Sequence, residues 1–433
     1  MQKKLLGIAV AVALAAPGLA LAQSGVQVYG TVHMSINQVK FGDATGSPAG
    51  ANAAPSATGS IAAVLPQGTT KMGVAQHASN FGLRSTETLG SGMTAWFQAE
   101  FNMLMERTNG VIDNSASARN SGVGLRGGFG NVYVGTWETP WAQTFRLWDV
   151  GTIGGWGPTT SIIGRRENTA RSVNFNCVNN SGTAGGAGLN ATLLQPICGG
   201  GSAATATGNL GYALWRRYES SVFYESPLFE GVQAKFAWMP NMSKSTIAVG
   251  TAGQVQNQSS WSGSLSWTGL GGRARAFIAN MQAKDWTTVG QTDSGYTAGG
   301  GYDFGVVNVG ATYEKYTYKL LAGAERTAKE WGVGLAVPLG PGKIGASYAK
   351  AKKLEGAGAP GANDTGAKMW NLGYEWALSK RTALGFGIAK IDNGADQAFT
   401  WTNQLPNANG ASQSSVQNGV DQTNIFVSIR HSF

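Results

Sequence analysis

The sequence is poor in charged residues, histidine and cysteine. Asp, Glu, Lys and Arg make up 13% of the 433 residues, well below the roughly 25% of a soluble domain. There are three histidines and two cysteines, and neither a G-x-S-x-G nor an H-E-x-x-H motif occurs. These absences argue against an enzyme, and they imply no cofactor and no metal site.

Long apolar runs are also missing. No stretch after residue 22 has the roughly 20 consecutive apolar residues of a membrane helix. Glycine, by contrast, is abundant: its 64 residues are about twice the average share of roughly 7%. A chain with few charges, no membrane helix and many glycines is left with two main options, a soluble β-protein or a membrane β-barrel.

Residues 1–22 carry the three parts of a secretory signal. Two lysines precede an apolar core at residues 5–15, and an A-x-A cleavage site ends at Ala22. The core is too short for a membrane anchor and Pro17 follows it. We therefore expect cleavage after Ala22 and a single barrel domain over residues 23–433.

Loss of the two lysines of the signal leaves 30 basic against 23 acidic residues in the mature chain, a net charge of +7. Since no basic run accompanies this charge, the sequence predicts no nucleic-acid partner.

Strict period-two alternation decides between the two options. In VQVYGTVHMSIN, from Val26, and in MTAWFQAEFNM, from Met93, apolar residues lie on one face and polar residues on the other. About sixteen such runs occur, and many reach about ten residues, the length of a tilted membrane-spanning strand. The connectors alternate between short and long, as in an up-and-down barrel. The sequence therefore predicts an all-β, transmembrane antiparallel barrel.

The chain ends on the same pattern. NIFVSIRHSF places Ile425, Val427, Ile429 and Phe433 on one parity. We predict that this strand pairs with the first strand, residues 25–38, because closure leaves no unsatisfied sheet edge in hydrocarbon.

Five stretches resemble the trimeric general porins of Gram-negative bacteria, most closely the betaproteobacterial branch. They are QSGVQVYGTV, FGLRSTETLGSGMTAWFQAEFN, RNSGVGLRGGFGNVYVG, RRYESSVFYESPLFEGV and the terminal Phe433. The resemblance covers the mature chain in order. It implies a 16-stranded, multi-pass homotrimer among the lipids of the outer membrane, where small hydrophilic solutes and inorganic ions diffuse through. It also implies that the third loop, here within residues 139–215, enters the barrel and narrows it, and that Phe433 is read by the outer-membrane assembly machinery.

In such porins a ladder of basic wall residues faces acids of the third loop. The motif positions that carry a basic residue here are Arg84, Arg119 and either Arg216 or Arg217. Alternation places Arg84 inside, but Arg119 shares the parity of lipid-facing Val123, so an inward Arg119 requires a bulge or a position above the lipid.

Three further charged residues are candidates. Glu100 and Lys235 are expected inside because a charge that faces lipid costs several kcal/mol near the midplane. Asp149 is the candidate acid of the loop. His33 stands where relatives often have an aspartate, whereas Asn80 replaces a family arginine. The balance predicts a modest anion preference.

The two cysteines, Cys177 and Cys198, lie in the long loop segment. In an exported chain such a pair predicts a disulfide, worth roughly 3 kcal/mol for a loop of about 20 residues. Two thiols without a nearby histidine are too few ligands for a metal.

A general diffusion porin is the predicted function. A substrate-specific channel, which would show saturating flux, and a structural or adhesive barrel, which would show negligible conductance, remain open alternatives.

Overall fold

The computed structural model describes part of the chain. The described residues are 25–45, 68–103, 105, 119–164, 217–240, 259–285, 290–319, 323–356, 364–395, 397–401 and 419–433. The predicted signal segment, both cysteines and Arg216 lie outside these ranges, so the predicted cleavage and disulfide stay predictions. Among the described residues, no helix is long and apolar enough to cross a membrane.

Eighteen strand segments form one antiparallel sheet. In chain order they are β1 (Gln27–Phe41), β2 (Thr70–Gln76), β3 (Asn80–Gly90), β4 (Met93–Asn102), β5 (Ser121–Gly127), β6 (Gly130–Glu138), β7 (Arg217–Glu225), β8 (Val232–Met239), β9 (Ser259–Gly269), β10 (Ala274–Lys284), β11 (Thr292–Asp303), β12 (Asn308–Lys319), β13 (Glu325–Leu339), β14 (Gly342–Ala351), β15 (Glu355–Gly356), β16 (Ala367–Ala377), β17 (Thr382–Asn393) and β18 (Gln422–Ser432).

These segments make sixteen barrel strands. Both β2 and β3 pair with β1, and both β14 and β15 pair with β13, so each of these two pairs is one interrupted strand. Every other neighbour along the chain pairs antiparallel, and β18 pairs with β1 from Ser432 opposite Thr31 to Gln422 opposite Phe41. The predicted closed barrel of sixteen strands is confirmed.

The seam between the chain ends uses the last residue. The backbone N–H of Phe433 donates to the carbonyl oxygen of Gly30 at 3.0 Å, and the N–H of Gly30 donates back at 3.2 Å. A Cβ on Gly30 would lie 2.5 Å from the Phe433 ring, so glycine leaves the space that the ring occupies. The aromatic end of the chain is therefore part of the wall.

The wall has one apolar and one polar face, as the alternation predicts. Large apolar side chains such as Ile36, Val123, Leu265, Val333 and Ile425 are exposed on the outer face. Because successive side chains point to opposite faces, their neighbours in sequence line the interior.

One irregularity shifts this alternation. Three steps along β1, from Thr31 to Met34, correspond to four steps from Gln76 to Asn80, so the interrupted strand has one extra residue there. Ala78 takes the left-handed φ of 52° at this bulge. The bulge changes the inward parity, and therefore Ala75 and Arg84 point to the same side of the wall.

Candidate functional site

The described part of the third loop, residues 139–164, begins with a short helix. Thr139 caps Pro140–Gln143 by accepting a hydrogen bond from the N–H of Ala142 at 3.1 Å, and proline is favoured at the first helical position. The helix places Trp141 against the inner wall. Its indole N–H donates to Glu314 at 3.3 Å, and its ring stacks on Tyr316 at 5.3 Å between centroids.

Beyond the helix, the loop lies on inward-facing glycines of successive strands. A Cβ on Gly310 of β12 would lie 2.0 Å from the carbonyl oxygen of Trp148, and one on Gly345 of β14 would lie 2.7 Å from Ile153. Further glycines under the loop are Gly295, Gly332, Gly334, Gly373 and Gly385. We call the seven together the glycine seat. A side chain at any of these positions would press against the loop, most severely at Gly310 and Gly345, which accounts for part of the high glycine content.

The loop tip reaches the seam between β18 and β1. Trp156 packs edge-on against His77 at 4.9 Å and against Trp401 at 5.3 Å. Gly155 lies directly on the His77 ring, since a Cβ there would be 2.4 Å from Nδ1. His33 also contacts His77, with ring centroids 4.8 Å apart. All these contacts are on the inner face of the wall, opposite the apolar outer face, so the described part of the loop lies inside the barrel.

The other side of the lumen carries charges. The Arg119 Nε donates to Glu100 Oε1 at 2.6 Å, and its NH1 donates to Asn102 at 2.9 Å. Tyr29 donates to the second oxygen of Glu100 at 3.1 Å. Arg119 precedes the first residue of β5, Ser121, so the alternation of that strand does not extend to it. Its side chain therefore reaches Glu100 inside, as Val123 continues to face out.

A second cluster joins the wall to the start of the loop. Glu138 binds Arg146 of the loop at 2.5 Å through Oε2 and Arg217 of β7 at 3.2 Å through Oε1. Asn120 accepts from the Arg217 Nε at 3.0 Å. Lys235 bridges in the same way, since its Nζ lies 3.2 Å from Glu225 Oε1 and donates to the loop residue Gln143 at 2.6 Å.

Asp149 is held within the loop. Thr152 donates to its Oδ1 and Thr159 to its Oδ2, each at 2.7 Å. Desolvation raises the pKa of Asp149, and the hydrogen bonds from Thr159 and Thr152 act in the opposite direction. Because both oxygens accept hydrogen bonds from the loop itself, the carboxylate is directed at loop residues and not at the lumen.

More basic residues line the lumen near the short connectors. Arg84 donates to Gln27 at 2.9 Å and lies 4.9 Å from the Tyr29 ring centre. Arg126 lies over the Trp96 ring, and Arg275 donates to Asn308 at 2.5 Å. None of these three arginines has an acid within ion-pair distance in the described chain.

Two further cations share one acid at this end. Lys343 lies 3.9 Å and Arg430 3.5 Å from Glu375 Oε1. Alternation could have found Arg126, Arg275 and Arg430, because each has the parity opposite to lipid-facing neighbours. Alternation could not have found Arg146, since it lies in a loop, where side chains do not alternate between two faces.

The arrangement supplies an electric field in the lumen and limits the width of the opening. Across the described ranges, no group of three His, Cys, Asp or Glu side chains could hold a metal ion. What the lumen presents is a wall rich in arginine opposite a loop fixed in position, and such a wall acts on ions by charge and size.

Comparison with known proteins gives the same fold. A sequence model described as Gram-negative porin matches residues 9–396. Outer membrane porin protein 32 of Delftia acidovorans is 28% identical over 437 residues, which span 100% of both chains. The solved structure of the anion-selective porin from Comamonas acidovorans has a TM-score of 0.58 at 22% identity and covers 95% of this chain and 100% of that one. A trimer form of OmpT, an outer membrane protein of Vibrio cholerae, has a TM-score of 0.54 at 12% identity and covers 95% and 100%.

Proposed function

Because the chain belongs to the Gram-negative porin family, we propose that it is an outer-membrane general diffusion porin with a modest preference for anions. Ions and small hydrophilic solutes pass through its water-filled lumen passively. The family and the closed barrel point to a channel rather than an enzyme.

The observation that carries the anion preference is the unequal pairing of charges in the lumen. Four inward carboxylates, Glu100, Glu138, Glu225 and Glu375, each have a basic partner within ion-pair distance. A fifth, Glu314, has no basic partner in the described chain but is buried beneath the loop, where Trp141 and Tyr316 donate to it. Arg84, Arg126 and Arg275 have no acidic counterpart within that distance in the described chain. A low-dielectric wall around a water column strengthens the field of such charges, and salt screens it beyond about 8 to 10 Å near physiological strength.

The narrowest part of the pore lies, in this proposal, between the loop and the wall formed by β4–β8. Arg119, Arg217, Lys235 and Glu100 face the loop there, and Arg146 faces them from it. Asp149 is the weakest member of the predicted set, because its oxygens are occupied by two threonines. Arg84 acts farther down, in the wider entrance near the short connectors.

A relative supports the sign of the preference. The Comamonas acidovorans structure is described as an anion-selective porin, although its 22% identity establishes the fold alone. A substrate-specific channel is the second candidate, and saturation of solute flux distinguishes it from general diffusion.

Assembly as a homotrimer is part of the proposal, and the trimer form of the Vibrio cholerae protein supports it. Mass measurement in mild detergent tests the trimer, and a purely monomeric species contradicts it.

Phe433 is the proposed assembly signal, since it closes the seam and ends the chain. We expect Phe433→Ser to lower the amount of assembled protein in the outer membrane relative to Ser432→Ala. Equal amounts of both variants would remove this role.

The decisive experiment for ion preference is the reversal potential of the purified protein in planar bilayers across a tenfold KCl gradient. We expect the sign of an anion-selective pore, and a potential that decreases as ionic strength rises. A cation-selective sign refutes the charge argument, and absence of conductance refutes the channel.

A further inference from the structure

The connector between β17 and β18 begins with a segment that folds into the barrel. In this segment, residues 397–401, Phe399 is fully buried and Trp401 is 3% exposed. Both rings belong to one apolar cluster with the inward wall residues Ile391 and Phe426. A connector that ran over the outer rim would leave these rings in water, so residues 397–401 lie inside the wall. We call them the inner turn.

The wall at this height receives protein and not water. Inward positions near the long-connector ends of three neighbouring strands are apolar and buried. They are Ala349 and Ala351 on β14, Ala367 and Met369 on β16, and Ala389 and Ile391 on β17. They have the same inward parity as Gly345, Gly373 and Gly385 of the glycine seat. A wet barrel interior is polar. These strands depart from that pattern because the third loop and the inner turn cover them with a dry core.

The tip of the third loop has one large side chain. Residues 154–157 read GGWG, and glycine leaves the backbone conformationally free. The ring of Trp156 is 1% exposed and meets the ring of Trp401 edge to face, with centroids 5.3 Å apart and planes at 86°. Its other aromatic neighbours are His77 and Phe426. Trp156 therefore anchors the tip, and the inner turn supplies one side of its socket.

Hydrogen bonds tie the inner turn to the ends of β17 and β18. Asn393, the last residue of β17, donates from Nδ2 to the carbonyl oxygen of Phe399 and accepts from the N–H of Phe399, each at 2.9 Å. Gln422, the first residue of β18, donates to the same carbonyl oxygen at 2.8 Å and accepts from the Thr400 hydroxyl at 3.0 Å. These bonds fix the backbone directly before Trp401, so its ring is held by the wall.

We propose that Trp401 is a positioning residue of the constriction, which holds the tip of the third loop against the wall through Trp156. The proposal rests on the porin function given above and adds a second loop to the part of the protein that sets the width of the opening. Without the Trp401 ring, the socket of Trp156 opens on one side, and the glycine-rich tip leaves the wall intermittently. Each departure changes the opening between the loop and β4–β8.

The test records single-channel currents of the assembled, full-length mature protein in planar bilayers. The variants are Trp401→Ala, Trp401→Phe, Trp156→Ala and the double variant Trp156→Ala/Trp401→Ala. The matched control Phe223→Ala truncates another buried ring inside the barrel, which stacks on Tyr133 at 4.9 Å. The control therefore loses aromatic packing that is not part of the Trp156 socket.

We expect brief changes of conductance to be on the order of tenfold or more frequent in Trp401→Ala than in the wild type, because truncation of a buried aromatic side chain removes packing worth more than one factor of ten. Trp401→Phe keeps a ring in the socket and restores most of the steady current. The double variant behaves like Trp156→Ala alone, since Trp401 acts through Trp156. Phe223→Ala lowers the unfolding temperature and keeps the steady current.

A second readout does not depend on conductance. Hydrogen–deuterium exchange followed by mass spectrometry reports the opening of backbone N–H groups at the loop tip, residues 150–160. We expect faster exchange there in Trp401→Ala and wild-type exchange in Phe223→Ala. Equal exchange of the tip in Trp401→Ala and the wild type overturns the proposal. Additive effects of Trp156→Ala and Trp401→Ala on the current, or the same current changes in Phe223→Ala, also overturn it.

The two readouts separate this proposal from the channel function. A wild type without conductance refutes the porin function, and the exchange measurement then decides whether Trp401 holds the tip. If Trp401→Ala does not assemble, Trp401→Leu, which leaves a smaller cavity, takes its place in both measurements.

Discussion

Strands β11–β17 and strands β4–β8 line the same lumen with different side chains. The first group presents the glycine seat, which the loop contacts at residues between Trp141 and Gly154. The second group presents ion pairs such as Arg119 with Glu100 and Lys235 with Glu225. One wall is shaped to hold protein and the other to face water.

The difference shows how one period-two pattern serves two purposes. An inward position that meets the loop must be small, because packed interiors leave no spare volume. An inward position that meets water can be large and charged, because its head group stays solvated. Glycine content and charge content therefore report different parts of the same wall.

The largest effect is expected from filling the glycine seat. Gly310→Val would place side-chain atoms on the Trp148 carbonyl, and overpacking of this kind costs about 1 to 3 kcal/mol or more. We expect the loop to move into the lumen, so single-channel conductance and the unfolding temperature both fall. The control Ala311→Val places the same valine side chain on the outer face of the same strand, and an equal loss in both variants would contradict the seat.

The next largest effect concerns the unpaired cations. Replacing Arg84, Arg126 and Arg275 together by Gln removes three charges from the lumen, each worth about 1 kcal/mol on an ion 4 Å away in water. We expect the reversal potential in a KCl gradient to move to zero or change sign. The control replaces three lysines on the outer face, Lys315, Lys350 and Lys368, by Gln, which gives the same net charge. A similar shift in the control would mean that net charge, and not the lumen, sets the selectivity.

A smaller effect is expected from Arg119→Ala. It leaves Glu100 with Tyr29 as its remaining partner, and loss of one member of this largely buried pair costs about 2 kcal/mol. We expect a lower unfolding temperature and a reduced anion preference. Adding Glu100→Gln restores part of both. An unchanged reversal potential in Arg119→Ala would place this residue outside the constriction.

The smallest effect is expected from Asp149→Asn. The raised pKa of Asp149 means that folding favours its protonated form, so its contribution to stability decreases as pH rises through the raised pKa. The asparagine keeps an acceptor for one threonine and removes the desolvated charge. We expect unchanged reversal potential and a gain of about 1 kcal/mol or less at neutral pH, which vanishes below the ordinary value of 3.8. Thermal unfolding at two pH values measures this gain in stability. A large shift in ion selectivity would mean that Asp149 does act on ions in the pore.

The sequence predicted the wall better than the site. Alternation is local, so VQVYGTVHMSIN and NIFVSIRHSF gave their strands, their lipid-facing parity and their mutual pairing. Arg119 was ambiguous because its parity depends on where β5 begins. The contacts of Arg146 and Trp148 could not be predicted, since both residues lie in a loop without periodicity. Trp148 in addition packs on strands more than a hundred residues away.

The seam between the chain ends carries a consequence for folding order. Thr31 and Ser432 hydrogen-bond across a separation of 401 residues, so pairing of the first and last strands is very long-range and needs the last residues of the chain. The loop tip lies on both sides of that seam, with Gly155 on His77 and Gly154 on Phe426. We therefore expect closure of the wall and seating of the loop to be coupled, because the tip's contacts are complete only when both sides of the seam are in place.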